Sequence, residues 1–280
     1  MHYGVQVRPT TNTVDLPTLG RLVERIGFDS LWFPEHTHMP VEVAANAPGT
    51  GEWLDTNSRL FDPLLGLMAA ACGSERLLLG TGILLLPQHD PIILAKQVAT
   101  LDVVSRGRVL LGIGAGWNRA EMQHHGVDPR TRFARMREQV LAMRTIWASE
   151  VATFAGEHVA FGPMHQWPKP LQRPWPPVLI GGEGARVLER VLEYGDAWLP
   201  NDHPEVEQRM AELQAACARA GRPTIPTWVY SVDPDPQRVR TLAAAGAVAC
   251  IFTVPNARTG PADIEAALAE IWAAVQAARD

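Results

Sequence analysis

Residues 181–184, Gly-Gly-Glu-Gly, form a candidate phosphate-binding turn. They follow an apolar run at 177–180 that predicts a buried strand, and they precede a run at 187–192 with apolar residues at helical spacing. A glycine turn that leads into a helix leaves several backbone N–H groups unpaired beside the positive end of the helix dipole. Such a turn can bind a phosphate, and Arg186 could add a charge-assisted contact if its side chain faces the loop. The alternative is a tight turn that needs glycine for its conformation alone.

Glu35, His36 and His38 form a second group of chemically capable side chains, just after the predicted strand 30–33. A histidine can exchange a proton or donate a hydrogen bond near neutral pH, so His36 is a candidate catalytic residue. The alternative is a structural histidine that Glu35 or the backbone satisfies. A metal site built from these three residues is disfavoured, because adjacent residues at a strand end point in divergent directions.

Glycines also end the third and fourth predicted strands. Gly82 indicates a place where the backbone approaches a flat ligand closely or adopts a conformation closed to other residues. Packing at a strand end is the alternative explanation. The series Gly112, Gly114 and Gly116 lacks the spacing and the strand position of a dinucleotide-binding fingerprint, so by itself it is a weak signal.

These candidate residues need a scaffold, and the chain offers eight apolar strand patterns that alternate with about eight amphipathic helix patterns. This alternation favours a parallel sheet, and eight such units favour a closed (β/α)8 barrel, the TIM-barrel class of α/β fold. The rival fold is a doubly wound open sheet, but its glycine fingerprint would follow the first strand and not the fifth. Because chemistry in a barrel gathers at the carboxyl ends of the strands, the candidates are predicted to share one rim.

Two segments interrupt the alternation. Residues 37–60 are polar and glycine-rich without a clear period, which predicts a long functional loop. Residues 150–176 combine a cluster of prolines with Trp167 and Trp175, and they predict an insertion after strand four that packs over one end of the domain. Between these segments, three polar residues are predicted to be solvated helix residues: Glu121, His124 and His125.

The composition excludes several classes of protein. The formal net charge of -5 argues against a nucleic-acid-binding surface. No apolar run is long enough to span a bilayer, and Met1 leads directly into a strand, so neither a membrane segment nor a signal peptide is predicted. The three cysteines are scattered without a Cys-x-x-Cys pair, which favours buried thiols over disulfides or a zinc site. We expect a soluble cytoplasmic protein.

Four motifs in the right order resemble the bacterial luciferase-like monooxygenase superfamily, and more narrowly its branch of oxidoreductases that use the deazaflavin coenzyme F420. The motifs are residues 27–36, 79–83 with Asp90-Pro91, 105–118 and 181–198. The resemblance covers nearly the whole chain, so residues 1–280 are predicted to form a single luciferase-like (β/α)8 barrel domain.

The resemblance implies a role for each motif. His36 would lie at the active face of the tricyclic ring with Glu35 beside it, and a non-prolyl cis peptide between Gly82 and Ile83 would buttress the ring. The ring or its side chain would pass the residues after strand four: Gly114, Ala115, Gly116 and Trp117. The cofactor phosphate would be held by backbone N–H groups of the glycine turn: Gly181, Gly182, Glu183, Gly184 and Ala185. The loop at 37–60 would help to shape the substrate pocket.

The function that the resemblance implies is hydride transfer between C5 of coenzyme F420 and a small organic substrate, with His36 orienting the acceptor or relaying a proton. Trp117 adds an aromatic wall and only Lys96 and Lys169 are lysines, which favours a weakly polar substrate. An FMN-dependent monooxygenase is an alternative, because FMN also brings a phosphate and a tricyclic ring. A flavin-binding protein without turnover is another. Relatives often form dimers, so a homodimer is expected.

Overall fold

The computed structural model of the chain describes residues 1–41 and 51–279, without the side chains of Glu52 and Trp53. Its strands, in chain order, are β1 (His2–Gln6), β2 (Ser30–Phe33), β3 (Leu78–Thr81), β4 (Leu84–Leu85), β5 (Val109–Gly114), β6 (Ala152–Ala155), β7 (Ala160–Met164), β8 (Val178–Gly181), β9 (Ala197–Leu199), β10 (Trp228–Val232) and β11 (Ala249–Thr253). Its helices are α1 (Leu16–Ile26), α2 (Gly51–Ser58), α3 (Pro63–Ala71), α4 (Pro91–Val104), α5 (Arg119–His124), α6 (Arg132–Ala148), α7 (Val187–Tyr194), α8 (Val206–Arg219), α9 (Pro236–Ala244) and α10 (Ile264–Arg279).

Eight parallel strands close into a barrel, which confirms the predicted fold. Their order is β10-β11-β1-β2-β3-β5-β8-β9. The ring closes between β9 and β10 through two parallel bridges, Trp198 with Thr227 and Asn201 with Tyr230. The short strand β4 continues the line of β3 and pairs with β5, so the predicted third strand is interrupted at Gly82 and Ile83.

Aspartates begin several of the surrounding helices. The carboxylate of Asp62 accepts a hydrogen bond from the Leu65 N–H at 2.9 Å, and that of Asp90 accepts from the N–H groups of Ile92 and Ile93 at 2.9 Å each. In both cases a proline occupies the first helical position, where its missing N–H has no partner to lose. These caps fix where each helix starts, and hence the length of the loop at the rim before it.

The barrel interior is filled with side chains. Inward-facing residues from several strands pack together there: Trp32, Leu110, Leu179, Leu199, Trp228, Tyr230 and Ile251. A Cβ on Gly80 would lie 2.2 Å from the Trp32 ring, so this glycine makes room for the Trp32 indole. The filled interior supports the strand ends from below, as in TIM barrels generally.

The insertion after β5 and α6 contains the antiparallel hairpin of β6 and β7. Beyond the hairpin, the Lys169 ammonium donates to the Ile146 and Ser149 carbonyls at 2.5 and 2.6 Å, and the Leu171 N–H donates to Asp102 at 2.8 Å. These contacts place residues 169–171 against the last turns of α4 and α6, at the end of the barrel remote from the strand carboxyl ends.

Two expectations need correction or restriction. Cys217 and Cys250 are buried as predicted, and burial raises the pKa of the Cys250 thiol to about 12, but Cys72 is exposed because it directly follows α3 on its outer side. Of the predicted 37–60 loop, residues 51–58 form α2, while 42–50 lie outside the described residues.

Within the described residues, no helix is both long and apolar enough to cross a bilayer.

Arg108 joins the start of β5 to the end of α3. Its guanidinium donates to the carbonyls of Ser105, Leu77, Ser74 and Ala71 and to the Ser74 hydroxyl, at 2.6–3.3 Å. Arg108 is 9% exposed, so these acceptors would not be satisfied by water if the guanidinium were absent.

We expect Arg108→Met to lower the free energy of unfolding by about 3 kcal/mol, because several buried carbonyls lose their donor at once. Chemical denaturation of purified protein measures the change. Arg106→Met is the matched control: Arg106 is exposed, and its loss should change the stability by less than about 0.5 kcal/mol. Equal effects of the two substitutions would contradict this structural role of Arg108.

Candidate active site at the barrel rim

A cavity of about 430 Å³ opens at the carboxyl ends of the strands. All of the predicted site residues except Ala185 line it. It also has lining residues that the sequence did not single out, among them Asn57, Phe133, Arg190, Asn201 and Tyr230. Tyr230 lies within β10 and Asn201 lies two residues beyond β9, and the inward-facing position of each follows from register and not from residue type.

The glycine turn offers free backbone donors. Within the described residues, the amides of 182–186 donate no hydrogen bond, while the Val187 N–H donates to the Gly184 carbonyl at 2.9 Å and begins α7. Gly182 has φ of 108°, a conformation that favours glycine, and a Cβ on Gly182 or Gly184 would meet no atom within 4 Å. The turn therefore presents unpaired N–H groups and open backbone to the cavity, as a phosphate requires.

The side chains of this turn have roles other than ligand binding. The Glu183 carboxylate accepts hydrogen bonds from the backbone N–H and the side-chain amide of Asn201 at 2.7 and 2.9 Å, which ties the turn to the end of β9. Arg186 pairs with Glu189 at 2.8 Å on the surface and does not face the loop. Beneath the turn, the Trp198 indole donates to the Gly182 carbonyl at 3.0 Å.

Arg190 supplies the positive charge that Arg186 does not. It lies one turn into α7, lines the cavity, and stacks over the Phe133 ring at 3.7 Å. Within the described residues it forms no salt bridge, since the carboxylate of Glu189 is held by Arg186. Burial lowers the pKa of Arg190, a penalty on its charged form that a bound anion would offset. The helix register predicts the position of Arg190, but only the fold shows that it faces the cavity.

The Gly82–Ile83 bond is cis, as the resemblance implies. The Tyr230 hydroxyl donates to the Gly82 carbonyl at 2.7 Å, and a Cβ on Gly82 would lie 2.2 Å from that hydroxyl oxygen. Ile83 packs against the backbone of Gly114 and Gly181, where a Cβ would lie 2.0 and 2.7 Å from its side chain. These glycines let one ledge, formed by 82–83, lie across the mouth of the barrel.

His36 is paired with Glu121, contrary to the prediction that Glu121 is a solvated helix residue. The His36 Nδ1 lies 2.8 Å from the Glu121 carboxylate, whose side chain is 0% exposed. The Thr37 N–H also donates to this carboxylate at 3.1 Å. Asn118 caps α5 by accepting from the Glu121 N–H at 3.2 Å, which directs the first turn of the helix inward. The pair fixes the orientation of the imidazole at the cavity wall.

Glu35 points away from His36 and contacts β4, which follows the ledge. Its carboxylate accepts from the Leu85 N–H at 2.5 Å and lies 2.9 Å from His89 Nε2. Burial works to lower the pKa of His89, but the hydrogen bond and the charge of Glu35 outweigh it, so the pKa of His89 is raised. Glu35 therefore links the loop after β2 to β4 and to His89.

His38 turns to the outside of the rim. Its Nε2 lies 2.8 Å from Nδ1 of His124, and Thr37 Oγ1 lies 2.7 Å from Nε2 of His125, so the last residue of α5 and the residue after it both face the loop after β2. Within the described part of the chain, no group of three or more His, Cys, Asp or Glu side chains has the arrangement of a metal site.

Trp117, 46% exposed, stands edge-on to His36 with ring centres 5.9 Å apart.

A family model for luciferase-like monooxygenases matches residues 3–278. The chain belongs to the luciferase-like monooxygenase family. An uncharacterized protein of Mycobacterium tuberculosis is 38% identical over 263 residues, which are 91% of this chain and 93% of the relative. An F420-dependent glucose-6-phosphate dehydrogenase of Microbacterium testaceum is 27% identical over 216 residues, 74% of this chain and 60% of the relative.

Among solved structures, an F420-dependent secondary alcohol dehydrogenase in complex with an F420–acetone adduct has the same fold. It superposes with a TM-score of 0.76 at 19% identity, over 100% of this chain and 99% of that chain. This likeness supports the barrel fold over the whole chain. The family includes both F420-dependent oxidoreductases and monooxygenases.

The pairing of Glu35 with His89 predicts a pH-dependent contribution to stability. Since the pKa of His89 in the folded protein lies above its unfolded value of about 6.5, the contribution is complete below that pH and is lost as the pH rises through the folded value. The difference in unfolding free energy between wild type and His89→Asn should therefore be larger at acidic pH than well above neutral pH. Denaturation at several pH values measures it.

His165→Asn is the control for this experiment, since His165 is exposed and hydrogen-bonded to the Glu150 carbonyl. It replaces the same residue type with the same amide at a site remote from Glu35. A His89→Asn difference that grows as the pH rises would reverse the sign expected from Glu35.

Proposed function

We propose that this protein is an F420-dependent oxidoreductase that transfers a hydride between C5 of the deazaflavin ring and a small organic substrate. The observation that carries the proposal is one cavity that combines the unpaired amides of the glycine turn, the 82–83 ledge and the His36–Glu121 pair. A phosphate site, a support for a flat ring and an oriented acid–base group are the three parts that such a reaction needs.

The residues present fit the cofactor. Gly182 and Gly184 leave a backbone cradle that a Cβ would fill, and Arg190 adds a positive charge beside it. We assign the cofactor phosphate to the amides of 182–186 and the ring to the cavity between the 82–83 ledge and His36. The bound deazaflavin supplies hydride chemistry at C5. Gly114 to Gly116 would let the ring or its ribityl chain pass close to the backbone.

His36 is assigned to proton exchange with the substrate oxygen. Glu121 engages Nδ1 and accepts its hydrogen, so we assign the proton exchange to Nε2. The buried carboxylate would also stabilise the imidazolium form that arises when His36 takes a proton from an alcohol. In the reverse direction the same imidazolium would protonate a carbonyl oxygen as the hydride arrives.

An FMN-dependent monooxygenase of the same family is the second candidate, because FMN carries a phosphate and a tricyclic ring that the same rim would accept. F420 is favoured by the sequence relative and the structural neighbour whose names state F420 dependence. A barrel that binds a flavin without turnover would retain the glycine turn, but it would not need a buried carboxylate to orient His36.

Titration of the purified protein with oxidised F420 and, separately, with FMN tests the proposal through ring absorbance or fluorescence. We expect F420 to bind at least about tenfold more tightly than FMN. Gly182→Asp should weaken F420 binding by about tenfold or more, because the new carboxylate crowds the phosphate and repels it.

Gly246→Asp is the matched control for this titration. Gly246 also has a positive φ, 91°, and open space around its missing Cβ, but it precedes β11 at the opposite end of the barrel. Tighter binding of FMN than of F420 would favour the monooxygenase, and binding of neither would exclude the glycine turn as a cofactor site.

We expect His36→Asn to lower turnover by roughly 10²–10⁴-fold with little change in the F420 dissociation constant, as for loss of a general acid–base group. Glu121→Gln should lower turnover about tenfold, because a charge-assisted hydrogen bond becomes a neutral one. Steady-state oxidation of alcohols and reoxidation of reduced F420 by ketones measure both. Unchanged turnover in His36→Asn would remove this residue from the chemistry.

A further inference from the structure

Arg8 places a positive charge in the cavity that the proposed hydride chemistry does not use. It follows β1 at two residues beyond Gln6, and both side chains line the cavity because alternate residues of a strand face the same side. Val7, between them, packs outward in the core between strands and helices.

Arg8 differs from a structural arginine of this fold. Within the described residues its guanidinium forms no salt bridge and no hydrogen bond, whereas the buried guanidinium of Arg108 is surrounded by carbonyl acceptors. Burial lowers the pKa of Arg8, opposed by the nearby Tyr230. A desolvated and unpaired charge is unfavourable unless a ligand supplies its counter-charge.

The carboxylates around Arg8 are already engaged. Among the cavity residues, Glu35 is bound by Leu85 and His89, and Glu183 is bound by Asn201. In the adjoining cleft, Asp55 pairs with Arg59 at 2.7 Å.

Gln6 adds a second donor on the same side of the cavity. The Gln6 Oε1 accepts from the Thr253 hydroxyl at 2.8 Å, which leaves its amide N–H group for the cavity. Neighbouring donors with engaged carboxylates around them form a site for an acceptor from outside the chain.

The cofactor phosphate does not account for this site. In the closed ring of eight strands, β1 lies four strands from β8 in either direction, so Arg8 stands diametrically opposite the glycine turn and its own cation, Arg190. One phosphate cannot occupy both positions. By contrast, β1 is hydrogen-bonded to β2, and His36 lies three residues beyond the end of β2, so Arg8 is on the side of the proton-exchanging group.

We propose that Arg8, together with the Gln6 amide, binds a carboxylate of the substrate. This inference rests on the proposed function, and it replaces the weakly polar substrate expected from the sequence with an amphipathic one. The substrate would carry a carboxylate at Arg8, the reacting carbonyl or alcohol near His36, and an apolar body against Trp117. A planar guanidinium beside an amide donor suits the two oxygens of a carboxylate.

Calorimetric titration with benzoate and with its neutral analogue benzamide tests the site, using cofactor-loaded and cofactor-free protein. Wild type should bind benzoate at least about tenfold more tightly than benzamide. Arg8→Gln should remove this preference, and Arg8→Lys should retain part of it, since the charge remains without the fork. Arg59→Gln is the matched control, because Arg59 has its own carboxylate, and it should leave the preference intact.

The outcomes separate the two proposals. Equal binding of benzoate and benzamide by wild type, or an unchanged preference in both Arg8 variants, would overturn the carboxylate site. Loss of F420 affinity in Arg8→Gln would assign the residue to the cofactor and overturn it as well. If neither F420 nor FMN binds while the benzoate preference persists in the cofactor-free protein, the proposed function fails and the anion site stands. Thermal unfolding of each variant verifies that it is folded.

Discussion

The hydrogen bond from the Tyr230 hydroxyl to the Gly82 carbonyl joins opposite sides of the barrel mouth. In the ring of eight strands, β10 and β3 are four strands apart, and the bond spans the interior between them at 2.7 Å. Burial raises the pKa of Tyr230, so the hydroxyl keeps its proton at neutral pH and acts as the donor. The absence of a side chain at Gly82 is what allows the ring of Tyr230 to reach this carbonyl. This contact holds one end of the ledge at 82–83, and the packing of Ile83 against Gly114 and Gly181 holds the other.

Glu35 and His36, the adjacent residues that follow β2, have different partners. Successive side chains point in different directions, so Glu35 faces β4 and His89 while His36 faces Glu121 at the cavity wall. Glu35 is thus bonded to β4 and His89, and Glu121 is bonded to the imidazole of His36. On the proposed function, the two glutamates come from distant parts of the chain because the ledge and the imidazole each need a carboxylate partner.

The sequence was sufficient to predict the barrel, because short apolar strand patterns alternate with amphipathic helix patterns along the chain, and it predicted that the candidate residues share the rim that lines the cavity. Prediction from the sequence failed for residues whose role depends on the direction in which the side chain points. Glu121 has the spacing of an ordinary surface residue in a short helix, and only the cap at Asn118 and the approach of the β2 loop turn it inward. Arg190 and Tyr230 were missed for the same reason. Arg186 is nearer to the glycine turn in sequence, but its carboxylate neighbour Glu189 holds it on the surface.

Within the part of the chain that the structure describes, the cavity carries unpaired positive groups although the chain as a whole has a negative net charge. The chain carries a formal net charge of -5, yet the described carboxylates that line the cavity are bound by donors of the protein, while Arg190 and Arg8 face it without a carboxylate partner among the described residues. Two desolvated guanidiniums on opposite sides of the barrel are energetically unfavourable while the cavity holds no anion. On the proposed function, they are balanced by a phosphate at one side and a substrate carboxylate at the other. Both reactants would then be held at their far ends, with the atoms that exchange the hydride constrained between them beside His36, which is the alignment that makes such a transfer fast.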